Sequence, residues 1–203
     1  MNADGKVITT IRPERMVNGF DARQAKGLKS FVGDLNNMET PLSTFYQLSA
    51  LETFIGDLSS LRNGGDMFED CTSLTTFIGD LSSLEIGTKS LAIYGAGMFG
   101  DTNLTVESVE NIADTLPENP VVNTGSSFEG CIKISWNSLT TDTAERQELV
   151  DALCVVLDKG WVLVTNSELL AMFDTEKYQV VEQTVQPLDL DSEPQHIAYV
   201  VKK

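Results

Sequence analysis

The sequence has few of the residues from which metal sites and disulfide frameworks are built. It contains one histidine and three cysteines in 203 residues, and 14 basic residues against 30 acidic ones. Three widely spaced cysteines match neither a disulfide framework nor a paired zinc site. A net charge of −16 without a Lys or Arg cluster argues against binding to a nucleic-acid backbone. We therefore expect reduced, buried thiols, no cofactor or metal, and no nucleic-acid partner.

Long apolar runs are also missing. Residues 1–8 lack the apolar run of a secretory signal, and no stretch approaches the ~20 apolar residues of a membrane span. We expect a chain that stays in a cytosol unless something else carries it out, and that does not insert into a membrane. The acidic excess favours a role in solubility, and the alternative is an acidic patch for a basic partner.

An internal repeat is the strongest positive signal. An octet of the form L-x-x-F-(V/I)-G-D-L begins at Leu28, Leu51 and Leu74, so the period is 23 residues. This period falls within the roughly 20 to 29 residues of leucine-rich repeats. A single unit cannot bury its Leu and Phe side chains alone, which predicts stacked units. Around Phe54 and Phe77 we expect short strands in a parallel ladder, each ended by the Gly-Asp step.

The third unit departs from this period. Met98-Phe99 follows Met67-Phe68 after 31 residues instead of 23, so about eight residues are inserted within 85–95. The insertion is interpreted as a binding loop, with a tolerated surface loop as the alternative. Helical spacing then predicts a helix over 105–116 on the convex side of the last repeats, acting as a cap. A degenerate fourth unit follows at 127–131.

The extended pattern L-x-x-F-x-G-D-L-S-S-L-x-x-G-x-x-M-F-x-x-C-x-x-L resembles a known family. It is similar to the BspA-like leucine-rich repeats, which occur in bacterial surface proteins and in predicted proteins of bacteriophages that infect gut Bacteroidales. The resemblance covers about residues 28–139. It implies a leucine-rich-repeat solenoid and, because no export signal is seen, a virion component such as a tail, fibre or capsid-associated part.

Residues 140–203 predict a small C-terminal α/β tail. A capping box at 142–145 begins a helix that Lys159-Gly160 ends. A buried strand at 161–164, a short helix at 167–173 and two β-rich segments at 178–181 and 196–201 follow.

The last two strands are expected to pair with each other, with docking onto another subunit's sheet as the alternative. A strand at 6–11 could serve the same way. The expected fold is therefore α+β, in three parts: an N-terminal strand and cap (1–27), the solenoid (28–139) and the tail (140–203).

Motifs for catalysis are weak throughout. His196 has no Ser or Cys elbow near it in sequence, and 95–100 fits G-x-G-x-x-G without opening a helix. Residues 189–193 alternate acids as a calcium loop does, but they lack its glycine and its distal glutamate. No pair of carboxylates is singled out as in a glycosidase. We expect a chain that is not an enzyme.

The outward strand positions and the insertion form the expected interaction surface, on which partners would be other proteins. The residues are Thr53, Ile55, Thr76, Ile78, Ile86 and Tyr94. Alternatively, the inserted segment covers part of the surface that these strand positions form. The expected partners are virion neighbours or a host surface receptor, within an oligomer or symmetric assembly. The alternatives are a bacterial adhesin or intracellular scaffold and, third, a glycan-degrading enzyme.

Overall fold

The structure, a computed structural model, has a mixed α/β fold with two sheets and describes residues 22–39, 43–87, 97–119, 130–185 and 195–203. A parallel sheet has the order β1-β2-β3, and a five-stranded mixed sheet has the order β4-β5-β6-β8-β7. The strand predicted at 6–11 and the segment 186–194 lie outside the described residues. In chain order, the elements are β1 (Ser30–Asp34), β2 (Thr53–Asp57), β3 (Thr76–Gly79), β4 (Phe99–Thr102), α1 (Val106–Thr115), β5 (Cys131–Trp136), α2 (Thr143–Asp158), β6 (Val162–Val164), α3 (Ser167–Leu170), β7 (Tyr178–Val185) and β8 (Gln195–Lys202).

The three octets form the three-stranded sheet. Phe54 of β2 lies opposite Phe31 of β1 and Phe77 of β3, and the strands run parallel in unbroken register. The parallel ladder predicted from the 23-residue period is therefore confirmed for these units. All three strands end at the Gly-Asp step, as predicted: the aspartate is the last residue of β1 and β2, and the glycine is the last residue of β3.

Two stacks of phenylalanine rings fill the space behind this sheet. Phe31, Phe54 and Phe77 stack at centroid distances of 5.3 and 5.5 Å. A second stack, also spaced at 5.3 and 5.5 Å, consists of Phe45, Phe68 and Phe99. The two stacks interleave edge to face, and all six rings are fully buried.

A glycine stands two residues after each buried phenylalanine of β1, β2 and β3, at a position where the sheet has no room for a side chain. A Cβ on Gly56 would lie 2.7 Å from the carbonyl oxygen of Gly33 and 2.9 Å from the ring of Phe54. The repeated glycine thus lets each strand approach its neighbour while the preceding ring turns inward.

Helix α1 covers the open edge of β3. The backbone N–H of Phe77 donates to Ser108 Oγ at 2.9 Å, and the N–H of Gly79 donates to Asn111 Oδ1 at 2.9 Å. The helix was predicted over 105–116, and its bounds agree. It lies beside the last strand, however, and not on the convex side, because the unpaired edge of a sheet needs hydrogen-bond partners.

The edge contact of Ser108 should be needed for stability. Its hydroxyl also donates to the carbonyl oxygen of Thr75 at 3.0 Å, and the residue is buried. Ser108→Ala would leave the buried N–H of Phe77 without its acceptor, whereas the carbonyl oxygen of Thr75 would still accept from the N–H of Thr105. We therefore expect the free energy of unfolding to fall by about 1–3 kcal/mol in urea denaturation. The exposed Ser82→Ala is the matched control and should change it by less than about 0.5 kcal/mol. Equal effects of the two changes would contradict the edge-capping role.

The tail follows the predicted order. Asp142 Oδ1 accepts hydrogen bonds from the N–H groups of Ala144 and Glu145, which begins α2. Gly160 follows α2 with a positive φ of 84°, the conformation that glycine adopts most easily at a helix end. β7 and β8 pair antiparallel along their whole length, and β8 also pairs with β6. The predicted pairing of the last two strands within the chain is confirmed.

The repeats and the tail share one hydrophobic core. β4 pairs with β5, and β5 pairs with β6, so parallel strands connect the two parts. The indole N–H of Trp161 donates to the carbonyl oxygen of Pro117 at 2.9 Å, and Lys159 Nζ donates to three carbonyl oxygens at the end of α1. The boundary predicted at 139/140 therefore marks a change of sequence pattern inside a continuous core.

Candidate functional site

The outward side chains of β1, β2 and β3 form three parallel rows, which together we call the outer face. The alternation of a strand turns Phe31, Phe54 and Phe77 inward and their neighbours outward. The hydroxyl row is Ser30, Thr53 and Thr76, the aliphatic row is Val32, Ile55 and Ile78, and the acid row is Asp34, Asp57 and Asp80, the last directly after β3. Neighbouring strands lie ~4.8 Å apart, so like side chains are stacked closely within each row.

The aliphatic row is open to solvent. Val32 is 40% exposed, Ile55 36% and Ile78 50%. These are three of the five large apolar side chains identified as exposed among the described residues, the others being Val155 and Val180. A contiguous apolar patch bordered by polar groups is typical of a surface that binds another protein.

The acid row is held in place by the backbone that follows it. The Oδ1 atoms of Asp34, Asp57 and Asp80 accept hydrogen bonds from the backbone N–H groups two residues later, at 2.8 to 2.9 Å. For Asp57, hydrogen bonds from Ser59 hold the pKa of the carboxyl group below its usual range. Within the described ranges, none of the three forms an ion pair with a Lys, Arg or His side chain. Each octet therefore places one aspartate side chain at a fixed position on the outer face.

Helix α1 closes one end of the outer face and turns it into a groove. The groove has a volume of about 820 Å³, and α1 contributes Asn111, Asp114 and Thr115 to its lining. The sheet contributes the aliphatic row, the acid row and the two serines of the following turns, Ser59 and Ser82. The site thus offers an apolar floor beside a row of carboxylates.

Four of the six residues predicted as an interaction surface lie together on the outer face: Thr53, Ile55, Thr76 and Ile78. Ile86 does not line the groove. Ile86 follows the third octet, and its backbone forms an isolated parallel bridge with Asn63, which follows the second octet. The chain has already left the sheet at both positions. Tyr94 lies outside the described residues.

Sequence reasoning missed Val32 and the acid row. Val32 occupies the octet position of Ile55, so the alignment of the repeats contained the signal for it. The aspartates were interpreted only as strand ends. Asn111 and Asp114 could not be placed on this surface, because the contact of α1 with β3 is not visible in the sequence.

Among the described residues, three sequence features were considered for catalysis: His196, the glycine segment and the cysteines. His196 is exposed on β8, opposite Thr184 on β7. The segment 97–100 runs into β4 and not into a helix. Burial raises the pKa values of the Cys71 and Cys131 thiols, which disfavours their nucleophilic thiolate forms. In the described part of the chain, no group of three or more His, Cys, Asp or Glu side chains is placed to hold a metal ion.

A buried ion pair lies away from the groove. Glu69 is 7% exposed, its Oε1 lies 3.5 Å from Lys133 Nζ, and its Oε2 accepts a hydrogen bond from the N–H of Gly97 at 3.1 Å. Lys133 also lies 3.6 Å from Asp101. Burial raises the pKa of Glu69 to about 7, although the charge of Lys133 lowers it. The pair joins the second unit to β5. Among the described residues, Glu69 is the carboxyl group whose pKa is raised to about 7.

Comparison of the chain with family models, curated proteins and solved structures found no match. The geometry of the outer face is therefore the basis for a functional proposal. Among the described residues, no helix is both long and apolar enough to cross a bilayer.

Proposed function

We propose that this chain is a non-catalytic protein-binding module and a structural part of a larger assembly, and that it binds through the outer face. The observation that carries this proposal is the exposed aliphatic row, which is continuous across all three strands of the parallel sheet. Burying three such side chains against a partner removes apolar surface from water, which favours association. The rigid ladder beneath them means that little conformational freedom is lost on binding.

We also propose that the chain forms a leucine-rich-repeat solenoid and is located in a virion. The repeat pattern resembles the BspA-like leucine-rich repeats of phage proteins, which supports a leucine-rich-repeat solenoid located in a virion. Its partners would then be virion neighbours or a host surface receptor, within an oligomer or a symmetric assembly. The apolar outer face supports this setting, because an exposed patch of this kind is expected to be covered in an assembly.

Mass spectrometry of gradient-purified particles from the source of this chain tests its place in a virion. We expect the chain at a fixed ratio to the major shell protein, because a structural part occupies a fixed number of positions. Absence from the particles, with the chain found in the cell fraction, would contradict the virion setting and leave a cellular adhesin or scaffold.

Photo-crosslinking tests the outer face independently of the setting. A photoreactive amino acid at Ile78, which is 50% exposed, should crosslink to a neighbouring protein in the native assembly. The same group at Val180 on β7, which is 38% exposed, is the matched control and should give a much lower yield. Equal yields from both positions would contradict the use of the outer face.

A further inference from the structure

The acid row makes one side of the groove negatively charged. Asp34, Asp57 and Asp80 lie on successive rungs, so three carboxylates follow one side of the aliphatic row. Asp114 of α1 adds a fourth carboxylate at the closed end of the groove. Stacked like charges at ~4.8 Å repel each other, and a bound cationic group would relieve that repulsion.

We infer that the groove binds a basic, aliphatic segment of another protein, whose aliphatic side chains contact the aliphatic row while its Lys or Arg side chains pair with the acid row. This inference rests on the proposed function and adds the chemistry of the partner to it. The aliphatic contacts supply affinity, and the aspartates select the partner, because like charges placed against them cost binding energy.

Other classes of occupant fit the groove less well. Its described lining contains no aromatic side chain, and aromatic platforms are what sugar rings usually stack on. Phosphate-rich partners, such as nucleic acids or anionic lipid surfaces, would meet four carboxylates and a chain of net charge −16. A second copy of the chain would bring the same acidic face against itself if the two faces met symmetrically.

The test uses the full chain and three fluorescent peptides with identical valine, serine and glycine positions. The remaining positions carry lysine, glutamine or glutamate, and binding is measured by fluorescence anisotropy at low salt. We expect the lysine peptide to bind at least about tenfold more tightly than the glutamine peptide, and the glutamate peptide not to bind. Raising the ionic strength should weaken lysine-peptide binding, because exposed ion pairs are screened.

Two sets of variants separate the acid row from the general charge of the chain. Asn at positions 34, 57 and 80 (D34N, D57N and D80N together) keeps the Oδ1 acceptors that fix the turns, so the fold should persist by circular dichroism. We expect it to weaken lysine-peptide binding about 5- to 20-fold. The matched control carries E168Q, E176Q and E182Q, which remove the same charge from exposed positions elsewhere and should change binding less than about twofold.

The outcomes distinguish this inference from the proposed function. Equal binding of the lysine and glutamine peptides, lost in Ile55→Ser with Ile78→Ser, would overturn charge selection but support protein binding by the outer face. Equal weakening by both triple variants would show non-specific attraction and overturn the inference. Sedimentation showing self-association through the outer face, or no binding by any peptide, would also overturn it. In the last case, crosslinking from Ile78 still tests the proposed function.

Discussion

Phe68→Ala is expected to lower the free energy of unfolding by about 3–5 kcal/mol, measured by urea denaturation followed by circular dichroism. Phe68 is the middle ring of the second phenylalanine stack and is fully buried. Its ring stacks on Phe45 and Phe99 and meets Phe54 and Phe77 edge to face. Alanine would remove all four ring contacts and leave a cavity that rigid neighbours cannot close.

Val32→Ala is the matched control for this prediction. Val32 also belongs to the repeats, but it is 40% exposed on the outer face, so its truncation leaves no enclosed cavity. We expect its cost to stay below about 1 kcal/mol. If Phe68→Ala cost no more than Val32→Ala, the interleaved phenylalanine core would be contradicted.

The repeated part of the fold was predictable because its signal is periodic. The spacing of Leu28, Leu51 and Leu74 sets the register of three strands before any contact is known, and the structure pairs the strands in that register. The start of α2 was predictable for a local reason, since Asp142 caps the backbone of the residues directly after it. The first signal recurs from one repeat to the next, and the second lies within one helical turn.

The position of α1 was not predictable from the same kind of signal. Its apolar spacing shows a helix, but not which surface it covers. The decisive contacts come from Ser108 and Asn111, polar residues whose partners are backbone N–H groups of β3. These polar side chains are not part of a periodic pattern, so the contact of α1 with β3, which forms this end of the groove, could be identified only from the structure.

The candidate site was predictable in part for the same reasons. Thr53, Ile55, Thr76 and Ile78 follow from strand alternation, because every second side chain faces outward. The acid row was present in each octet, but a Gly-Asp step is also a common turn signal, and the sequence does not separate the two roles. The residues that α1 contributes to the groove were not predictable, because their position depends on contacts between distant parts of the chain.

The environment of the buried acid Glu69 was also not predictable from the sequence. Asp66 and Asp70 raise its pKa together with burial, Lys133 and the N–H of Gly97 lower it, and the result is a pKa of about 7. Lys133 itself is shared with Asp101 at 3.6 Å. No sequence pattern connects Glu69 with Lys133, because they meet only after β4 and β5 have paired.

This raised pKa predicts that Glu69 makes the protein less stable as the pH rises. The ordinary pKa of the group is 4.5, and it is about 7 in the folded chain. Between these values the unfolded chain loses the proton while the folded chain retains it, so the contribution of Glu69 is fully present below about pH 4.5 and is lost as the pH rises to 7. The loss is on the order of 3 kcal/mol at higher pH.

Glu69→Gln should remove this dependence, because glutamine can accept the hydrogen bond from Gly97 without ionising. We expect the free energy of unfolding of the variant, relative to the unchanged chain, to rise by about 3 kcal/mol between pH 4.5 and 7.5 in urea denaturation. Glu182→Gln, at an exposed position of β7, is the matched control and should show a nearly constant difference. A flat difference for Glu69→Gln as well would mean that Lys133 fully offsets the burial of Glu69. The pair would then join the second unit to β5 at no cost in stability.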